Sequence, residues 1–226
     1  RRLQLARGHA LWLVHADGVG DLLDAACTLA AVLRRQGSLQ LELLAASRAH
    51  RRLAYVLEPE LVDLLLELQA GNPVLVLQNL SLPSFPKWHF AVAKGYDLAT
   101  GELILNSGVL ENYRLDLKVF ERTWARSGHW AVVVLPPGQV PHSASAARYF
   151  QAVSELEHTA GDAVAIDQAY HAGIRRWPAD RNLQMGLGNF YLRTEQLQLA
   201  AQWYRQVVAQ YPDYASGSPP KDGLRV

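Results

Sequence analysis

A spacing of 34 residues recurs in the C-terminal part of the chain. Tyr170 and Tyr204 are 34 positions apart, and so are Pro178 and Pro212. A fixed period of this length is typical of a small helical unit that buries its apolar face only against a neighbouring copy of itself. We therefore expect two such units, each made of two helices, over residues 144–214. A helical hairpin without repeat ancestry is the alternative.

The second unit carries small residues where paired helices would touch and aromatic residues that would fill the gap between them. The positions concerned are Leu187, Gly188, Tyr191, Ala200, Tyr204 and Pro212. This pattern resembles the tetratricopeptide repeat, which implies that Tyr204 is buried between helices. The first unit resembles it less closely: Phe150, Tyr170 and Pro178 match, but Ile166 and Gly173 replace preferred alanines. Because two repeats are fewer than independent folding usually needs, the pair should pack on the first part of the chain, on a partner or on another copy.

The part of the chain before residue 136 alternates short β-rich runs with helical patterns. Leu39, Leu43 and Ala46 predict a helix capped by Ser38. The other predicted elements are a strand over 55–57, a helix from Pro59 that ends at Gly71, a strand over 73–78, a hairpin of 88–96 with 102–106, a helix capped by Asp116 and ended by Gly128, and a strand over 130–135. Helices followed by a run of antiparallel strands indicate an α+β fold rather than a doubly wound sheet.

A stretch rich in proline, glycine and small polar residues, 136–143, predicts the boundary between the two parts. We expect a first domain over 1–138 and the repeat pair over 144–214. The tail, 215–226, is too polar and too rich in proline and glycine to order itself.

Charge and composition exclude several classes of function. The chain has 22 Lys and Arg residues against 21 Asp and Glu residues, and a net charge of +1 gives no field that would attract nucleic acid. No window reaches the roughly 18 apolar residues of a membrane-spanning helix. The single cysteine, Cys27, allows neither an intramolecular disulfide nor a Cys-based zinc site. Because the chain begins at Arg1 without a signal segment, we expect a processed form or a fragment.

Most patterns that mark catalytic or cofactor sites are missing. The eight histidines include no helical pair with a carboxylate partner, so no metal and no cofactor is predicted. The segment 18–20, Gly-Val-Gly, is too short for a phosphate-binding loop, and no serine lies in a nucleophile elbow. The close acidic pairs, Glu58 with Glu60 and Asp21 with Asp24, are typical of solvated helix starts.

One pair of residues is left as a candidate catalytic site. His89 lies on a predicted strand between Trp88 and Phe90, and the hairpin returns Asn106 beside it. In papain-like thiol peptidases a histidine takes the proton of the thiol, and a carboxylate or amide oxygen orients the imidazole. We therefore predict that His89 and Asn106 lie on neighbouring strands and face one cleft. On fold grounds alone, a strand histidine beside aromatic residues is more often a core residue.

Four stretches carry a resemblance to a known family: 35–40, 87–97, 103–108 and 120–124. Together they resemble the papain-like peptidase domain of bacteriocin-processing ABC exporters, and more closely its stand-alone bacterial form followed by tetratricopeptide repeats. The resemblance covers roughly 37–212. It implies cysteine-peptidase chemistry, with His89 as base and Asn106 as its orienter, and a place in the bacterial cell envelope or periplasm.

The position that aligns with the nucleophile of that family holds a different residue type in this chain. The family has a cysteine at the start of its first helix, where the helix N-terminus lowers the thiol pKa, and the best-aligning stretch places Arg7 there. The family's oxyanion glutamine falls on Arg1 or Arg2. Cys27 lies in an apolar helical pattern with no evident cation, which is typical of a buried structural cysteine.

The resemblance and its departures lead to one hypothesis. We predict a degenerate cysteine-peptidase domain, a pseudoenzyme, whose cleft and repeats bind a peptide or protein without cleaving it. Self-association through the repeats stays open. Asn106 replaces an aspartate common in the family, and an asparagine can also orient an imidazole. The alternatives are an active bacterial cysteine peptidase that hydrolyses peptide bonds, and a structural adaptor that acts through the repeats alone.

Overall fold

The computed structural model describes residues 36–212, which contain seven helices and one six-stranded antiparallel sheet. The helices are α1 (Gln36–Ala49), α2 (Leu61–Gln69), α3 (Leu117–Ala125), α4 (Ala146–Ala160), α5 (Ala163–Arg176), α6 (Arg181–Arg193) and α7 (Leu197–Gln210). The strands are β1 (Leu53–Val56), β2 (Val74–Asn79), β3 (Trp88–Asp97), β4 (Glu102–Ser107), β5 (Leu110–Asp116) and β6 (Ala131–Leu135). Their order across the sheet is β1-β6-β2-β3-β4-β5, so the predicted α+β class is confirmed.

Local sequence signals set most of these bounds. The carboxylate of Asp116 accepts hydrogen bonds from the backbone N–H groups of Lys118 at 2.8 Å and Val119 at 3.1 Å, so α3 begins at its predicted cap. Gly71 has a φ of 82° just beyond the end of α2, a conformation that glycine adopts without steric cost. Several predicted bounds are shifted: Ser38, the predicted cap, lies inside α1, α2 begins at Leu61 rather than Pro59, and β1 spans Leu53–Val56.

The sequence predicts no strand over the residues of β5, yet they pair with β4. Six of the seven residues of β5 are exposed. The alternation of apolar and polar residues that marks a half-buried strand is therefore missing. β5 forms one edge of the sheet. The opposite edge, β1, lies against α4.

Both faces of the central strands are buried. Leu43 and Leu44 of α1 pack on the face that contains Leu75 and Phe90. Leu64 of α2 and Trp124 of α3 pack on the other face, with Val76 and Ala91. This double coverage explains why all six residues of β2 are buried and why its sequence is a nearly continuous apolar run.

The four C-terminal helices follow one another as antiparallel neighbours, because their connections are only two to four residues long. Asp162 and Asp180 cap α5 and α6 by accepting hydrogen bonds from backbone N–H groups at 3.0 and 2.9 Å. The buried side chains of Tyr149 and Val153 on α4 belong to the same apolar cluster as Leu53 of the sheet. The expected packing of the two parts on one another is confirmed.

Helical glycines let aromatic rings approach the backbone of the paired helices. A Cβ atom on Gly173 would lie 2.7 Å from Cε1 of Tyr149, and one on Gly186 would lie 2.6 Å from Cε1 of Tyr170. Such distances are shorter than carbon atoms tolerate. Glycine at these two positions therefore sets how closely the helices approach.

Tyr204 is less buried than the repeat pattern predicts. Its equivalent one period earlier, Tyr170, is fully buried and lies against Phe190 of α6, with ring centroids 6.4 Å apart. Tyr204 lies on α7, the last described helix, where it is half-buried and its hydroxyl donates a hydrogen bond to Oδ1 of Asn189 at 2.8 Å. The prediction of a buried Tyr204 is therefore wrong, because among residues 36–212 no helix covers α7 as α6 covers α5.

The close approach of Tyr149 to Gly173 predicts a loss of stability in Gly173→Ala. Overpacking of this kind costs about 1 to 3 kcal/mol, against roughly 1 kcal/mol of helix propensity gained by alanine. We expect a net decrease in the free energy of urea unfolding. Gly138→Ala is the matched control, since a Cβ atom there meets nothing within 4 Å. Equal stabilities of the two variants would contradict this account.

The different burial of the two tyrosines predicts unequal costs of truncation. Tyr170→Ala should decrease the free energy of unfolding by about 3 to 5 kcal/mol, as buried aromatic truncations do. Tyr204→Ala should cost less than half as much, because its ring is still partly in contact with water. Urea unfolding followed by circular dichroism measures both values. A larger loss for Tyr204→Ala would show that α7 is covered in solution.

Candidate functional site

His89 is the second residue of β3, where it is half-buried beside Gln78 of β2, its Cα partner across the ladder. Its Nε2 atom lies 2.8 Å from Oγ of Ser107, the last residue of β4. This hydrogen bond joins the beginning of β3 to the end of β4. The candidate base is therefore oriented by a serine hydroxyl.

Asn106 does not share a face of the sheet with His89. It pairs with Val92, three residues after His89 on β3, and directly opposed residues point to the same face. Its Oδ1 atom accepts a hydrogen bond from the backbone N–H of Asn112 at 3.1 Å and lies 3.4 Å from Nζ of Lys94. The prediction that His89 and Asn106 face one cleft is wrong.

A bulge in β3 causes this separation. The pairing shifts between Ala93 and Gly95, which leaves Lys94 as an extra residue in the strand. If the pairing of Gly95 with Ile104 continued regularly, Asn106 would lie opposite Ala93, on the face of His89. The extra residue moves Asn106 to the other face and brings Ser107 to His89 instead.

Burial favours the neutral form of the His89 imidazole. The loss of hydration disfavours the charged form and lowers the pKa of His89 below its usual value of 6.5, and the positive charge of Lys87 lowers it further. A neutral imidazole has one donor and one acceptor nitrogen, so it can hydrogen-bond a peptide group as well as Ser107. On the same face, Nε2 of the buried Gln78 donates to Oγ1 of Thr123 at 2.7 Å.

The loop between β2 and β3, residues 80–87, is held by a polar clamp at its base. Oδ1 of the buried Asn79 accepts hydrogen bonds from the backbone N–H groups of Ser81 at 3.0 Å and Lys87 at 2.9 Å. Nη1 of Arg126 donates to the backbone oxygens of Asn79 at 3.4 Å and Ser81 at 3.2 Å. We call Asn79 and Arg126 the clamp. It gives the loop a defined shape despite its exposed side chains.

Large apolar side chains project from this end of the sheet. We call them the apolar rim, and its members are Leu80, Leu82 and Phe85 on the loop after β2, Val109 on the turn after β4, and Leu110 at the start of β5. Leu82 is 65% exposed, Phe85 78% and Val109 97%. The bond between His89 and Ser107 joins the strand that follows the loop to the strand that precedes the turn, so both parts of the rim lie at one end of the sheet.

Several candidates from the sequence lie outside the described residues. These are Arg7, Arg1, Arg2, Cys27 and the segment 18–20. Within 36–212, no group of three or more His, Cys, Asp or Glu side chains is placed to hold a metal ion. No helix in that part of the chain is long and apolar enough to cross a membrane.

The sequence patterns did not predict the roles of Ser107 and of the clamp residues. Ser107 follows the predicted Asn106 directly, and only the bulge decides which of the two faces His89. Asn79 precedes a loop with prolines at 83 and 86, a setting in which an asparagine often binds the backbone of its own turn. Arg126 gave no signal, because it reaches the loop from a distant part of the chain.

Comparison with known proteins adds no family to these observations. No match was found among protein-family models, curated proteins or solved structures.

The pKa shift of His89 predicts a pH dependence. Since the pKa is lower in the folded than in the unfolded chain, the folded state binds this proton less readily, and stability should fall as the pH decreases below about 6.5. Lys87→Glu should raise the pKa of His89, because it replaces a repelling charge by an attracting one. NMR titration of the His89 ring measures the shift. A pKa above 6.5 in the unsubstituted protein would contradict the burial of the imidazole.

Proposed function

We propose that this chain is a degenerate papain-like cysteine-peptidase domain joined to two tetratricopeptide repeats, and that it binds a peptide or protein without cleaving it. The separation of His89 from Asn106 carries the non-catalytic part of the proposal. It removes the pair of residues on which the peptidase resemblance mainly relied, so the family assignment rests on the sequence stretches 35–40, 87–97, 103–108 and 120–124. A thiol peptidase needs its base held by an orienting oxygen on the same face, and here Asn106 lies on the other face. The hydroxyl of Ser107 takes its place beside the imidazole.

A serine hydroxyl is a weak substitute for an orienting carboxylate. It carries no charge, so it does not stabilise the imidazolium that forms when a histidine accepts a proton from a thiol. Burial and Lys87 also act against that charged form, because both lower the pKa of His89. These conditions favour hydrogen bonding by a neutral imidazole over proton transfer.

The open side of α7 supports binding. Leu197 and Val208 are exposed there, and the half-buried Tyr204 lies on the same side of the helix, since it is seven residues after Leu197 and four before Val208. The equivalent helix of the first pair, α5, has Tyr170 buried under α6. Uncovered apolar faces of helical repeats are suited to contact with other polypeptides. This side of the repeats is therefore the proposed surface for a peptide or protein.

The proposal predicts binding without hydrolysis. Purified protein should raise the fluorescence anisotropy of labelled casein, an unfolded polypeptide, while gel electrophoresis shows the casein intact. His89→Ala should leave both results unchanged, and iodoacetamide should label Cys27 no faster than a free thiol in a peptide. Casein fragments that disappear with His89→Ala would instead establish the peptidase alternative.

The binding surface is tested with a pair of exposed residues. Leu197→Asp combined with Val208→Asp should weaken casein binding at least about tenfold, since two apolar contacts are lost. Val164→Asp on α5 is the matched control, because Val164 is similarly exposed but lies on the preceding helix pair. Equal affinities of the two variants would exclude α7 as the binding surface.

A further inference from the structure

The apolar rim has no role in the proposed binding by the repeats. Its five side chains belong to two separate segments, yet both segments lie where β3 begins and β4 ends. Isolated exposed leucines are common on soluble proteins, whereas several apolar side chains gathered at one end of a sheet mark an interaction surface.

The shape of the rim is convex. A side chain that lines a groove loses much of its exposure to the opposite wall, but Phe85 and Val109 keep 78% and 97% of theirs. A rigid partner would need a cavity that matches each projecting side chain. A fluid lipid layer closes around such side chains without a preformed cavity, and the transfer of apolar surface into it is favourable.

The charges beside the rim are mainly positive. Lys87 ends the loop, Arg126 lies against its base, and Lys94 reaches Oδ1 of Asn112 at 3.2 Å near the turn. Glu111 is the one acidic residue within the two rim segments, 80–87 and 107–112. Basic side chains around apolar tips favour a surface of anionic headgroups.

Two half-buried tryptophans lie at the same end of the sheet. Trp88 begins β3 and Trp130 immediately precedes β6, where its ring packs edge-to-face on Phe90 at 5.7 Å. Tryptophan favours the boundary between headgroups and acyl chains, because its ring is apolar and its N–H is polar. Both pack against the core cluster of one face, at the end of the sheet that carries the rim.

The clamp holds the rim in one conformation before any partner arrives. Asn79 and Arg126 together make four hydrogen bonds at the base of the loop, to or from its backbone and the end of β2. An ordered loop loses little conformational entropy when its apolar tips insert. From shape, charge, tryptophans and clamp together, we infer that the apolar rim docks this protein onto an anionic lipid surface.

Co-sedimentation with vesicles tests the inference. The full chain should sediment with vesicles of equal parts phosphatidylcholine and phosphatidylglycerol, more weakly with phosphatidylcholine alone, and less in high salt. Leu82→Asp combined with Phe85→Asp should reduce binding at least about tenfold. Leu98→Asp is the matched control, because Leu98 is 68% exposed on the turn after β3, at the opposite end of the sheet, and its change should have no effect.

Each other outcome overturns the inference. Absence of sedimentation with anionic vesicles excludes lipid docking. If Leu98→Asp reduces vesicle binding as much as the rim variant does, the rim is not the docking surface. If the rim variant sediments normally but loses casein binding, the rim is a protein-binding surface instead. The thermal midpoint of each variant, which should equal that of the unsubstituted chain, excludes misfolding. The inference is independent of the repeats, since Leu197→Asp with Val208→Asp should still sediment.

Discussion

A buried carboxylate ties the two parts of the chain together. Oε1 of Glu67 accepts hydrogen bonds from the backbone N–H and the hydroxyl of Ser143, and Oε2 accepts one from Nδ2 of Asn72, each at 2.7 Å. Glu67 has no exposed surface, so these bonds must replace its hydration. They fix the connecting segment against the end of α2, three residues before α4 begins at Ala146. That fixed start directs Tyr149 of α4 into the core of the sheet.

The anchored helix α4 lies against β1, one edge strand of the sheet, and β5 is the edge strand on the opposite side. The backbone N–H of Ser145 donates to the hydroxyl of Tyr55 at 3.2 Å, and Arg148 pairs with Glu58, so contacts continue along the junction. An edge covered by a helix cannot pair with another strand.

The elements that could be predicted were those whose signals are local. The apolar run of β2, the alternation in β3 and the cap at Asp116 each fix one element without reference to the rest of the chain. The face of Asn106 could not be predicted, because it depends on one extra residue in the neighbouring strand, Lys94. A shift of one residue moves a side chain to the opposite face, and only the paired structure shows it.

The same bulge that separates Asn106 from His89 also shapes the polar contacts around it. Lys94, the extra residue, reaches Asn106 and Asn112, so the amide that would orient an imidazole is used to stabilise the turn after β4. That turn carries Val109, and the clamped loop at the same end of the sheet carries Phe85. The register that places Asn106 away from His89 therefore also supports the turn that carries part of the apolar rim. Asn106 could face His89 only if β3 lost its bulge, which the buried Ala93 and Leu105 oppose because they would then no longer lie on the same face of the sheet.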